Sequence, residues 1–415
     1  MTGLSRRRLL GAAGAGVALA GAGAAATACS APAAAPSPSD VVAFRGPRQA
    51  GIITPVQDRL HFVALDVVDG DRARLQSLFR EWTAAAERMT AGATVTPGGA
   101  VNGNPDAPPD DNGEALGLPA AQLTLTFGVG PGLFDTAGVD RFGLAAQRPA
   151  ALVELPPFTN DDLDPARSGG DICIQACAND PQVAVHAIRQ LVRIGLGTTA
   201  VRWSQLGFGR TSSTSTSQTT PRNLFGFKDG TNNLKAEEPA GLDEHVWIAD
   251  GEAPAWLVGG AYLVARRIRM HIEVWDRTSL REQEQIIGRT KGEGAPLSGN
   301  QEFDLADYDA KSEDGQPLIP LDAHIRLASA QALGGPKILR RGYNFVDGSD
   351  GRGHLDAGLF FLAFVRDPAE QFVPMQSALA NNDVLMEYIE HTSSAVFAIP
   401  PGLGEGDYWG AGLFA

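Results

Sequence analysis

The sequence predicts an α+β fold made of two ferredoxin-like halves, and three observations carry that reading. Periodicities between residues 60 and 209 run strand, helix, strand, strand, helix, strand, the split order of a βαββαβ unit. A Ser/Thr-rich stretch from Arg210 to Pro221 interrupts the pattern. Strand and helix signals then recur on the same plan through Ser393, without a residue-level repeat. The halves are drawn at 51–221 and 222–415, behind an N-terminal segment of residues 1–50.

Each element has a local reason. LHFVALDVV (Leu60–Val68) is almost continuously apolar, as a buried strand requires. DRARLQSLFREWTAAAERMT (Asp71–Thr90) carries apolar residues at helical spacing behind Asp71, a good N-cap. Gly, Pro, Asn and Asp fill 91–118, an irregular insertion long enough to predict a functional lid or rim. AQLTLTFGVG (Ala121–Gly130) alternates as a strand. DICIQACA (Asp171–Ala178) is another, because Asp180 and Pro181 then cap and open the helix PQVAVHAIRQLVRIG. AVRWSQLGFG (Ala200–Gly209) completes the first half. In the second, AYLVARRIRMHIEVW (Ala261–Trp275) is predicted as strand and SLREQEQIIGRT (Ser279–Thr290) as helix. GLFFLAFVRD (Gly358–Asp367) reads as strand and ALANNDVLMEYIEHTS (Ala378–Ser393) as helix.

Composition narrows the function. At 415 residues, 43% hydrophobic and 20% charged, the chain has a globular balance. It carries 34 Lys and Arg against 48 Asp and Glu, and three of those cations are Arg6, Arg7 and Arg8. That surplus of acid argues against a nucleic-acid partner. The N-terminus, SRRRLLGAAGAGVALAGAGAAATACSAP, has a basic start, an apolar run and small residues, the marks of an export signal. Its Ala/Gly core is too weakly apolar for a spanning helix, so no transmembrane helix is expected in the mature chain. Ser5, Arg6 and Arg7 before two leucines resemble the twin-arginine type, which implies a periplasmic, cell-surface or secreted location. Cys29 after Ala26-Thr27-Ala28 is a candidate lipid-anchor position, and Ala31 to Ala50 reads as a linker. Cys173 and Cys177 stand four apart on a strand, roughly 13 Å and so beyond disulfide reach. Both are read as small core side chains.

Two clusters stand out. FGFKDGTNN (Phe225–Asn233) places Asp229 in a tight bend after an apolar approach, and alone it reads as an Asp-Gly turn. DAHIR (Asp322–Arg326), at strand spacing, would put Asp322, His324 and Arg326 on one face. Seven histidines, at 61, 186, 245, 271, 324, 354 and 391, leave the choice among them open.

These pieces together resemble the dye-decolorizing peroxidases, in particular the exported bacterial branch that includes the deferrochelatase/peroxidase of iron uptake. The matching motifs are GFKDGT at Gly226–Thr231, DAHIR, LRRGY at Leu339–Tyr343, GLFF at Gly358–Phe361 and NDVLMEYIEHTSSAVFAIPPG at Asn382–Gly402. The resemblance implies a dimeric α+β barrel-like packing of the halves, with haem b in the C-terminal one. It implies His324 as proximal iron ligand, Asp229 as distal acid/base and Arg340 as distal cation. Leu359 and Phe361 would line the distal wall, beside Gly230 and Thr231. Asp383 would accept the far proton of His324, with Glu387 as the fallback, and Arg326 would meet a haem propionate. Hydrogen peroxide and a small organic donor such as a dye or phenol are the implied reactants. A homo-oligomer and iron-uptake components are the implied partners, and removal of iron from haem is the rival activity. The chain departs from the pattern where Ala-Ser-Ala follows His324-Ile-Arg-Leu, and at Asn232.

Chemistry supports the same residues. Cleaving an O–O bond heterolytically requires a group that takes a proton from one oxygen and gives it to the other, and one carboxylate suffices. A fixed guanidinium stabilises the charge that builds on the leaving oxygen. An aspartate accepts a proton only when ionised, and the low ordinary pKa of its side chain leads to the expectation of activity favouring acid over neutral conditions. Gly226 and Gly230 are expected because a side chain there would crowd the haem plane. Trp203, Trp256, Trp275, Tyr262, Tyr343 and Tyr388 could relay electrons to bulky donors, but are read first as packing.

Overall fold

The structure, a computed structural model, describes residues 40–415, which belong to one compact unit. The signal-peptide and Cys29 expectations lie outside the described residues. Nine strands are present among these: β1 (Arg59–Val67), β2 (Thr124–Val129), β3 (Ile172–Ala178), β4 (Thr199–Arg210), β5 (Ala261–Met270), β6 (Leu339–Arg340), β7 (Tyr343–Ser349), β8 (Leu355–Val365) and β9 (Ile389–Ile399). The α-helices are α1 (Arg72–Thr90), α2 (Pro181–Ile194), α3 (Pro239–His245), α4 (Ile272–Trp275), α5 (Leu280–Ile287), α6 (His324–Leu327), α7 (Ala330–Leu333) and α8 (Val373–Asn382). No helix among the described residues is long and apolar enough to cross a membrane.

The strands close on themselves. In the first half β1 lies between β3 and β4, and β2 adds to β3. In the second, β5 lies between β8 and β9, and β7 adds to β8. The free edges then meet: β4 pairs β7 at Phe208 and Asn344, and β2 pairs β9 at Val129 and Ala398. Eight antiparallel strands thus form a barrel, and β6 extends the line of β7 along the same edge of β8.

Period-two alternation assigns the faces of each strand. Phe62, Ala64, Phe360, Leu362, Phe364 and Phe397 point to one buried cluster shared by both halves, together with Cys173 and Cys177. Both thiols are free and buried, as their spacing predicts. The opposite face of the first half packs under α1 and α2. Asp71 caps α1 by accepting from Ala73 N and Arg74 N, and Asp180 caps α2 in the same way. The outer face of the second half builds a smaller cluster of Phe225, Phe227, Ile268, Met270 and Trp275, with Leu359 and Phe361 packed against it. The candidate site lies there, outside the barrel.

Several elements differ from expectation. The strand drawn through Trp275 ends at Met270, and Ile272–Trp275 forms a helical turn. The helix drawn over 378–393 ends at Asn382; a short 3-10 turn follows, and Ile389 onward is β9. The β-branched Ile389, Thr392, Val396 and Ile399 suit a strand, and ring closure needs one there. DAHIR is not a strand: Asp322 is exposed, and His324 opens α6. The insertion at 91–118 is no lid over the site, because it lies along α2, where Gln182 donates to the Glu114 carbonyl and Arg193 to that of Pro109.

Candidate active site

The segment around Asp229 is both a turn and a functional wall. Phe225 and Phe227 anchor it against Trp275, stacked at 4.4 Å and edge-on at 6.0 Å. Its backbone closes through Asn223 N to Phe227 O at 3.1 Å and Asp229 N to Pro221 O at 2.9 Å. Gly230 has φ +92°, and a β-carbon there would lie 2.9 Å from Ser212 Cα. A β-carbon at Gly226, φ +83°, would lie 2.8 Å from Lys291 Cε. The glycines are therefore required by left-handed backbone and by Ser212 and Lys291, a correction to the expectation that they spare a haem plane.

One asparagine ties this loop to the strand carrying Arg340, and a second braces Asp229 from within the loop. Asn233 accepts from Arg340 N at 2.8 Å and donates to Arg340 O at 2.9 Å, so it fixes the backbone of β6. Arg340 Nη1 then donates to Asp229 Oδ1 at 2.5 Å, while Asn223 Nδ2 reaches Asp229 Oδ2 at 3.3 Å. The carboxylate is held from both oxygens and still lines the cavity.

His324 stands on another wall of the same cavity. Its Nδ1 lies 2.6 Å from Asp383 Oδ2, which leaves Nε2 as the available ligand atom. Asp383 sits where α8 ends and the next turn begins, and its Oδ1 accepts from Leu385 N at 2.8 Å. Burial, the largest single influence, opposes charge on the ring. The Asp383 carboxylate, helped by Asp229, outweighs it and raises the His324 pKa above the ordinary histidine value. Although set deep in the protein, about a third (32%) of the His324 side chain is accessible where it faces open space.

Other expected site residues fall differently. Leu359 and Phe361, two apart on β8, line the cavity, as do Gly230 and Thr231. The Thr231 hydroxyl, however, donates to Glu302 at 3.0 Å, beside Lys228 Nζ at 2.5 Å from the same carboxylate. Glu387 is exposed and Asp383 holds the contact to His324, so the fallback is not needed. Arg326 does not reach the cavity as a propionate partner. It donates to the carbonyls of Pro320, Ile319 and Tyr308, pinning the loop ahead of α6.

A different arginine has spare donors. Arg266 is fully buried on β5, pairs with Asp161, and leaves Nε and Nη1 without partners among the described residues. It lines the cavity together with Gln376, whose Nε2 is likewise unpartnered, and His391. Burial and then Arg266 push the His391 pKa down to about 3, so the ring is neutral. The sequence signal for Arg266 is the Arg266-Arg267 pair, which places two charges inside a strand buried on both faces, a costly arrangement unless anions meet them.

Between these walls lies a space of about 1570 Å³, mouth included, with Ile268, Met270, Leu359 and Phe361 as apolar lining. An imidazole with a carboxylate-fixed tautomer, an apolar slot and orphaned buried donors for a carboxylate together fit a haem. The family models of the Dyp-type peroxidase N-terminal and C-terminal domains match residues 49–209 and 220–404.

The chain belongs to the Dyp-type peroxidase family. It is 40% identical to the deferrochelatase of Escherichia coli K12 over 378 residues, 89% of this chain and 86% of that protein. Among solved structures it is similar to DtpA from Streptomyces lividans, with 38% identity, TM-score 0.82, and coverage of 90% of this chain and 98% of the other. A DyP-type peroxidase from Cellulomonas bogoriensis matches at 40% identity and TM-score 0.79, covering 91% and 99%. The Dyp-type peroxidase described here is thus a haem-binding oxidoreductase that uses peroxide.

Proposed function

We propose that the cavity would hold haem b, with His324 meeting its iron, and that Asp229 and Arg340 carry the cleavage of hydrogen peroxide. The observation that carries this reading is that the Asp229–Arg340 pair and a His324 fixed by Asp383 line one cavity. When bound, haem supplies the redox-active iron at which peroxide is reduced and through which electrons are drawn from a donor. Asp229 takes a proton from one peroxide oxygen and returns it to the other. The Arg340 guanidinium stabilises the negative charge that builds on the departing oxygen. Asp383 would make the His324 ring a stronger electron donor and hold the neutral ring's proton on Nδ1, which leaves the Nε2 lone pair to meet the iron. Arg266 and Gln376, with their unpartnered donors, hold a propionate. Peroxide leaves as two waters after gaining two electrons and two protons, the electrons coming singly from an organic donor such as a phenol or dye.

We further propose that each half is a ferredoxin-like unit, divided near residue 221, and this is supported by the matching strand orders β4-β1-β3-β2 and β9-β5-β8-β7. Export by the twin-arginine route is proposed from the N-terminal sequence alone.

The test is peroxide turnover with a phenolic donor across roughly pH 3 to 8. Asp229→Asn is expected to keep its haem and slow peroxide cleavage about 10²- to 10⁴-fold. Wild-type rates in that variant would overturn the assignment. A second reading, removal of iron from haem, is favoured by the 40% identity to proteins named deferrochelatase. Metal-free porphyrin released from added haem at a rate exceeding peroxide turnover would favour it.

A further inference from the structure

We propose that Asp111, Glu114 and His186 form a binding site for a divalent first-row transition ion of the Mn²⁺ or Zn²⁺ type, which clamps the 91–118 insertion onto α2. The site is separate from the haem cavity and does not depend on the reading given above. The insertion contributes both carboxylates and α2 contributes the imidazole. One ligand atom from each residue lies within 4.8 Å of the other two. Asp111 and His186 are buried, at 1% and 6% exposure.

Contacts within the trio do not satisfy it. His186 Nε2 is 3.6 Å from Asp111 Oδ2, too long for a hydrogen bond. His186 Nδ1 is 3.3 Å from Glu114 Oε2, yet that buried oxygen has no hydrogen-bond partner among the described residues. A protonated imidazole bridging two carboxylates would hold their oxygens about 7 Å apart, because its two N–H directions diverge. One oxygen of each carboxylate lies within 4.8 Å of one of the other. Ligand atoms converging on one ion at about 2.0–2.2 Å stand roughly 3 to 4 Å apart, nearer to what is found.

A neighbouring side chain points the same way. Gln190, fully buried one turn along α2, sets its amide 3.5 Å from His186 Nδ1 and leaves Oε1 without a partner among the described residues. Rotating that amide would bring a carbonyl oxygen toward the cluster. The local charge also asks for a cation. Among the described residues Asp111 accepts from backbone donors alone, Val95 N at 3.0 Å and Gly113 N at 2.8 Å. Arg189, 3.3 Å from Glu114 Oε1, is 62% exposed and offsets one carboxylate weakly. Imidazole with two carboxylates suits Mn²⁺ or Zn²⁺ better than Ca²⁺.

The experiment uses the haem-loaded protein, stripped with chelator and dialysed against Zn²⁺ or Mn²⁺, with non-haem metal counted per chain. One ion per chain is expected, together with a higher melting temperature and an unchanged Soret band. Glu114→Gln, which keeps volume, and Asp111→Asn are each expected to weaken binding roughly 10-fold or more while keeping the Soret band and fold. Absence of a stoichiometric ion in the wild type would overturn the proposal. So would equal binding by the wild type and both variants, which would mark the ion as bound elsewhere.

Discussion

At the scale of single residues, the site depends on side chains that hold other side chains. Asp383 has one oxygen on His324 and the other on a backbone amide, so it cannot swing away. Asp383→Asn is expected to weaken haem retention about 10- to 100-fold while leaving the fold intact, as read by haem transfer to an acceptor protein. Equal retention would show that the imidazole needs no carboxylate. The motifs that carry Asp229, His324 and Arg340 are local and distinctive in the sequence, and the structure brings all three to one cavity. Asn233 and Asn223 were not legible in the sequence, because their partners are Arg340 and Asp229, the first of which lies over a hundred residues away in sequence. Arg326 misled for the opposite reason. Its place beside His324 suggested a shared task, but chain adjacency on a one-turn helix sends neighbours in different directions.

At the scale of elements, the loop carrying Asp229 has the strictest requirement. Gly230→Ala meets both a left-handed backbone and Ser212 Cα, and is expected to cost at least about 2 kcal/mol. Denaturant unfolding measures this, and a loss below about 0.5 kcal/mol would mean that the loop relaxes without consequence. The elements of the first half follow their periodicity and caps closely, since Asp71 and Asp180 announce α1 and α2 directly. The second half was harder to read. α6 and α7 are single turns too short for periodicity to register, and the 378–393 segment changes from helix to strand at a capping Asp383. The strand β9 is set by the ring it closes, a long-range demand that a local window does not contain.

At the scale of the whole molecule, a filled barrel spans both halves and leaves the active site outside, on the second half alone. Rigid strands therefore supply the walls, and β5 and β8 present Arg266, Leu359 and Phe361 to the cavity from fixed positions. Global stability should respond to acid through His61, whose Nδ1 is buried without a partner and whose pKa burial lowers to about 4. The unfolded chain binds that proton near pH 6.5, so the folded state loses stability as pH falls from 6.5 toward 4. The loss is on the order of 3 kcal/mol, and His61→Gln should flatten this part of the pH profile in thermal unfolding. An unchanged slope would place the acid sensitivity elsewhere. The central claim is that one imidazole and one carboxylate face each other across a single haem cavity, and titration of the haem-free protein with haem, followed by its absorption spectrum, tests it most directly. Wild type and Asp229→Asn are expected to take up one haem per chain with a histidine-ligated ferric spectrum, and His324→Ala to lose that spectrum. The same spectrum in His324→Ala would contradict the account.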